Sequence, residues 1–191
     1  MMDLPVTAVY DANVLYPAPL RDLFIRLAQA GVVRARWTEE IHDEWVRNLL
    51  VDRPDLTPER LLRTRTLMND AVRDCLVTGY DHWIPTLSLP DAGDRHVLAA
   101  ALCAGAEVIV TFNLKDFPSE FLVPHGIAAV HPDEFVVNLL DTVPGLVCEA
   151  VKRQREGLRN PSRTIEELLA TLESQGLVET VSRLRSFTAL L

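Results

Sequence analysis

The chain is short of what several function classes require. It has three cysteines in 191 residues, Cys75, Cys103 and Cys148, odd in number, widely spaced and without a C-x-x-C pair. That argues against a disulfide framework and fits reduced core thiols of a cytoplasmic protein. None of its five histidines stands at metal-ligand spacing to another, so a histidine-rich zinc centre is not expected. No apolar run approaches the ~20 residues of a membrane span. The stretch MMDLPVTAVYD lacks a basic segment followed by an apolar core, so no signal peptide is expected. Positive charge is scarce too, with 19 Lys and Arg against 27 Asp and Glu and a net charge of −8. Indiscriminate nucleic-acid binding wants a basic face. A local basic patch beside an acidic, metal-charged pocket stays compatible with this balance. No internal repeat or low-complexity tract is evident.

Hydrophobic residues make up 48% of the chain, enough for one domain or one domain with a small appendage. Val6 to Tyr10 reads as a first strand that ends at Asp11-Ala12-Asn13. Leu20, Leu23, Phe24 and Leu27 give a helical face that Gly31 stops, and Val32 to Trp37 reads as a second strand. Thr38 is placed to cap a helix whose stripe is Ile41, Trp45 and Leu49. At ~100° per residue, Glu44 and Asn48 border that stripe and Asp43 points away from it. A further helix is expected from Pro58 to Leu76, with Leu61, Leu62, Met68 and Val72 inward and Arg60, Arg63, Arg65 and Arg73 on its polar face. That strip fits a solvated helix face and an RNA-backbone contact equally well.

The run DAGDRHVLAAALCAGAEVIVTFNLKDF, Asp91 to Phe117, concentrates the chemistry. Asp91 reads as a helix N-cap and Asp94 as the carboxylate that completes a capping pair. Taken alone, each fits a stabilising role of about 0.3–1 kcal/mol at a helix start. Gly105 ends that helix, and Val108-Ile109-Val110 is a continuous apolar run, as in a buried parallel strand. Thr111, Asn113 and Asp116 follow it, where open parallel sheets place their ligand sites. Ile127 to Val130 reads as a last strand before a helix opened by Pro132-Asp133-Glu134. Strands alternating with helices predict an α/β protein with a parallel sheet. From about Pro144 the pattern is helical only, giving an expected division into residues 1–143 and a C-terminal α-helical extension, 144–191. In that extension Ser162 or Thr164 is expected to cap a helix. Its apolar faces must pack on the same chain, a second copy or a partner.

Asp11 ends the first strand, Glu44 flanks a helix stripe, Asp91 and Asp94 open a helix, and Asp116 follows a central strand. If those segments share one edge of the sheet, the carboxylates converge and repel one another unless a cation joins them. Oxygen ligands favour Mg²⁺ or Mn²⁺ over Zn²⁺. Such a cleft suits phosphodiester hydrolysis.

These segments resemble the PIN-domain ribonucleases, especially VapC-type toxins of bacterial toxin–antitoxin pairs. The resemblance rests on VYDANVLYP, EWVRNL, DAGDRHVLAAAL and VTFNLKDFP, in that order, over about Val6 to Leu140. It implies a three-layer α/β/α fold with a central parallel sheet and metal-dependent cleavage of RNA. It implies Asp11, Glu44 and Asp94 as the central acidic residues with Asp116 a fourth, and Asp91 as an additional carboxylate. Glu40, one turn from Glu44, is the reserve for that role. Asn13, Asn113 and Thr111 would support the site, with Mg²⁺ or Mn²⁺ held by Asp11, Asp94, Asp91 and Asp116. A protein antitoxin and a homodimer are the partners implied. The helical tail extends beyond the minimal family domain and resembles an extension seen on some longer VapC-like chains.

Two other readings fit parts of this pattern. An aspartyl-phosphate protein would use Asp11, Thr111 and Lys115, but would want an acidic residue where Asn13 stands and leaves Glu44 and Asp94 without roles. A PIN-like binding module that no longer cleaves would keep the fold and lose metal binding.

Overall fold

A computed structural model describes residues 4–191; the first three residues of the stretch read for a leader lie outside it. Four strands, β1 (Val6–Tyr10), β2 (Val33–Arg36), β3 (Val108–Val110) and β4 (Ala128–Val130), form a parallel sheet in the order β2-β1-β3-β4. Every residue of β1 and β3 is buried, as befits central strands covered by helices on both faces. The helices are α1 (Ala12–Leu15), α2 (Ala18–Gln29), α3 (Glu39–Asp52), α4 (Pro58–Ala71), α5 (Arg95–Ala104), α6 (Ser119–Leu122) and α7 (Pro132–Thr142). Three more, α8 (Pro144–Gly157), α9 (Ile165–Ser174) and α10 (Val178–Leu184), make up the tail. The result is the three-layer α/β/α arrangement expected from the strand–helix alternation, with C-terminal helices added.

The strand order reverses between β1 and β3. Connections from β1 lead to one edge of the sheet and those from β3 to the other, so the carboxyl ends of these two strands flank a crevice. Tyr10 pairs with Val110, and Asp11 N donates to Val110 O at 3.1 Å, so Asp11 and Thr111 leave the sheet side by side.

Two sequence expectations change here. The helix expected to reach Leu76 stops at Ala71. Asp74 has φ +53°, turning the chain, after which Trp37 N donates to Cys75 O (2.9 Å) and Val77 N to Trp37 O (2.8 Å). Backbone pairing at the sheet edge takes over from helical continuation, and Arg73 consequently lies beyond the helix. Leu62, expected inward, is 60% exposed, while Leu61 and Met68 are buried.

The tail packs within the chain. Leu168, Leu169, Leu172, Leu177, Val181 and Leu184 are all buried. α8 lies against α2, and α10 lies against α7 and α9. Thr164, rather than Ser162, caps α9, in a reciprocal capping box with Glu167. The Asp133 carboxylate, from the first turn of α7, accepts Glu179 N (2.9 Å) and Thr180 N (2.8 Å) at the start of α10. This satisfies two amides that a helix start leaves unpaired.

Candidate active site

Asp11 is the most constrained carboxylate of the crevice. It is 5% exposed, and its oxygens accept from Ala12 N (2.7 Å), Asn13 Nδ2 (2.6 Å) and Thr111 Oγ1 (2.7 Å). Thr111 Oγ1 also accepts from Asn13 Nδ2 (3.0 Å) and Asn113 N (2.9 Å), so one hydroxyl ties the ends of β1 and β3 together. Asn13 Oδ1 in turn accepts from Phe112 N at 3.1 Å. Asn113 donates through Nδ2 to the carboxylate of Asp116. Burial raises the Asp11 carboxyl above its ordinary range, opposed by the Thr111 and Ala12 hydrogen bonds. Arg21 closes α1 from behind, donating to Leu15 O (2.6 Å) and Tyr16 O (3.2 Å) with its guanidinium over Trp45.

Asp94 is held differently. Asp91 caps a short 3-10 turn, Ala92–Asp94, by accepting Gly93 N at 2.7 Å. α5 then begins at Arg95, and the Asp94 carboxylate makes no capping bond, so the expected capping pair does not form. Asp94 instead faces other carboxylates. Its pKa is pushed up to about 7, by burial first and then by Asp11, Asp91, Asp116 and Glu44 in turn. Four carboxylates thus add to the effect of burial on one group.

Glu44 is half-buried on α3, as its place beside the apolar stripe predicts, while Asp43 is exposed. Burial, and then Asp11, raise its carboxyl above the usual value. Glu40 is more exposed and accepts from the Tyr80 hydroxyl at 3.2 Å. It does not figure among the groups acting on Asp94.

His96 was not singled out by sequence. It is 6% exposed, with Nε2 3.8 Å from Glu44 Oε2 and Nδ1 3.7 Å from Glu40 Oε2. Burial lowers its pKa against the pull of Glu40 and Asp11. The available signal was its position two residues past Asp94, in the first turn of a helix whose start faces the crevice.

Sequence comparison adds to this geometry. The sequence model of the PIN domain family matches residues 7–115, more than half of the chain. The chain belongs to the PIN domain family. A second family model, the VapC50 C-terminal domain, matches residues 132–186 of this PIN-domain chain, from α7 through α10. "Putative ribonuclease VapC50" of Mycobacterium tuberculosis (strain ATCC 25618 / H37Rv) is 43% identical over 82 residues, 43% of this chain and 48% of that relative. The matched stretch thus spans about half the length of the curated relative. No solved structure matches.

Whether the crevice of this PIN domain suits a divalent cation is a question of donor chemistry. Among the described residues, no three His, Cys, Asp or Glu side chains are already gathered closely enough to hold a metal ion. Like charges stand apart when nothing joins them. The raised Asp94 pKa and the oxygen-only donors fit a hard cation as the joining element.

The arginine strip divides. Arg65 is engaged by Glu39 and by Asp43 (2.6 Å) on α3. Arg60 and Arg63 line a surface cleft of about 620 Å³ that also takes in Tyr16, Arg53 and Gln175. Among the described residues, no helix is long and apolar enough to cross a membrane.

Proposed function

We propose that this chain is a metal-dependent endoribonuclease that hydrolyses RNA phosphodiester bonds, and that it is the toxin of a toxin–antitoxin pair. The observation that carries this reading is the hydrogen-bonded Asp11–Asn13–Thr111 network at the crevice between β1 and β3. Beside it, Asp11, Glu44 and Asp116 from three other segments, with neighbouring Asp91, add to burial in raising the Asp94 pKa. PIN-domain membership and the ribonuclease name of the VapC50 relative support it. Asp11, Asp94, Asp91 and Asp116 would hold Mg²⁺ or Mn²⁺, which when bound supplies an acidified water and neutralises the scissile phosphate.

The protein's own groups have separable tasks. Thr111 and Asn13 fix the Asp11 oxygens, and Asn113 holds Asp116. Asp94 would hold the ion in its deprotonated form. Glu44, with its carboxyl raised by burial, is suited to take a proton from the attacking water. The three hydrogen bonds on Asp11 fit an oriented ligand better than the free nucleophile that an aspartyl-phosphate mechanism requires.

RNA would approach along the cleft of Arg60 and Arg63, because Arg65 already has two acidic partners. Residues 1–143 would form the nuclease unit and 144–191 its helical extension. A cognate antitoxin and a homodimer, on the strength of the family resemblance, and a cytoplasmic location, on the widely spaced cysteines, complete the reading. Purified protein with RNA and Mg²⁺ or Mn²⁺ tests it. Wild type is expected to cleave and Asp94→Asn to leave RNA intact with an unchanged circular dichroism spectrum. Cleavage by Asp94→Asn at the wild-type rate contradicts the assignment.

A further inference from the structure

We propose that the turn joining α9 to α10 is a positioning element of the nuclease centre: Gly176 seats the Phe112 ring, and the seated Phe112 amide holds Asn13 against Asp11. This inference rests on the nuclease reading above for its kinetic consequences.

Phe112 leaves β3 directly after Thr111. Its N–H donates to Asn13 Oδ1 at 3.1 Å, which turns Asn13 Nδ2 toward Asp11 (2.6 Å) and Thr111 Oγ1 (3.0 Å). The Asp11 carboxylate favours the same face of Asn13, since a flipped side chain would set its oxygen against that carboxylate, but the Phe112 amide is the donor that holds the Oδ1 end. Where the Asn13 side chain sits against Asp11 therefore depends in part on where the Phe112 backbone is held.

The Phe112 ring is gripped from two sides. His131 meets it edge-on, with 4.9 Å between ring centroids. Gly176 approaches so closely that an added Cβ would stand 3.1 Å from the ring's Cε1. Gly176 also has φ +93°, a conformation that side-chain-bearing residues avoid. Its location is set by the two amides that Asp133 anchors at Glu179 and Thr180, with Leu177 fully buried beside them. Asp133 lies two residues from His131, and its N–H donates to His131 Nδ1 at 3.2 Å. One short segment thus holds the ring directly and the turn through α10. The residue before Gly176, Gln175, lines the cleft of Arg60 and Arg63, so this turn reaches from that cleft to the strand-end network.

The test uses the full chain. Gly176→Ala is expected to lower kcat about 10-fold or more, the range for residues that orient metal ligands, with KM within about twofold. Thr164→Ala, which removes the capping box of α9, should lower Tm and leave kcat unchanged. In a Phe112→Ala background, adding Gly176→Ala should cost no further kcat, because the ring it would displace is gone. A Gly176→Ala kcat equal to wild type, or an equal loss in both backgrounds, overturns the proposal. The Asn13 side-chain amide resonances give a readout independent of cleavage: they should move in Gly176→Ala and stay in Thr164→Ala. If wild type cleaves no RNA the nuclease reading fails, and unmoved Asn13 resonances then decide separately against the positioning role. Where Gly176→Ala does not fold, Asp133→Ala releases α10 without straining the turn and is judged by the same kcat and resonance criteria.

Discussion

Asp11 and Asp94 face the same crevice from opposite structural circumstances. Asp11 sits at the end of a central strand with three hydrogen bonds on its oxygens, and is as much a part of the fold as of the site. Asp94 sits at a helix start where a carboxylate would ordinarily cap, yet Asp91 does the capping one turn earlier. What surrounds Asp94 is mostly other negative charge. The first carboxylate is preorganised by donors, and the second is left available by repulsion.

Cleavage is where both should fail together. Asp11→Asn and Asp94→Asn are each expected to lower RNA cleavage by more than about 100-fold, above the range for residues that only orient ligands. A single-turnover assay with saturating Mn²⁺ checks this, and near-normal cleavage by either would remove that residue from the centre.

Stability should separate them. In Asp11→Asn the new amide NH₂ must face either Ala12 N–H or the Asn13 amide, so one donor is left opposite a donor. The expected cost is about 1–3 kcal/mol, read by urea unfolding without metal. Asp94→Asn removes a repelled charge that caps nothing and should leave metal-free stability equal or higher. Equal losses in the two variants would erase the contrast.

A smaller effect is expected in the pH dependence of metal-free stability. Asp94 has a pKa of about 7 in the folded chain against an ordinary 3.8, so the folded state binds the proton more tightly. Its contribution is fully present below about pH 4 and is lost as pH rises through about 7. Asp11 and Glu44, also raised, act in the same direction. Thermal unfolding from pH 5 to 8 should therefore show falling stability in wild type and a shallower fall in Asp94→Asn. A wild-type curve flat over that window would mean the repulsion is not felt.

The smallest effect concerns RNA affinity. Neutralising Arg60 and Arg63 together should reduce the log–log salt slope by roughly 0.7 per contact on single-stranded RNA. Arg65→Gln should change it less, because Glu39 and Asp43 already hold that guanidinium.

The placement of the candidate acidic residues was legible because each sits at a chain feature that sequence marks: Asp11 at a strand end, Asp91 and Asp94 before an apolar helix, Asp116 after another strand, and Glu44 beside a helical stripe. What sequence could not give was the use of each group. Asp94 reads as a cap by position, and only the 3-10 turn held by Asp91 shows it unspent. His96 passes for a helical core residue until Glu40 and Glu44 of α3 are brought to its ring. Arg65 belongs to a cationic strip on a helical wheel, but the wheel does not contain α3. The early end of α4 depends on a sheet-edge pairing with Trp37, far upstream of Asp74 in the chain, which local periodicity does not contain. The apolar faces of α9 and α10 were legible from the tail's own periodicity, but the seating of α10 on α7, anchored by Asp133, was not.

The most direct test of one cation-binding centre is the metal dependence of thermal unfolding at pH 8, in wild type and Asp94→Asn. Wild type should gain about 2.7 kcal/mol of stability at a Mn²⁺ concentration 100 times its Kd, and Asp94→Asn should gain little at that concentration. No gain in wild type, or the same gain in both, would contradict the account.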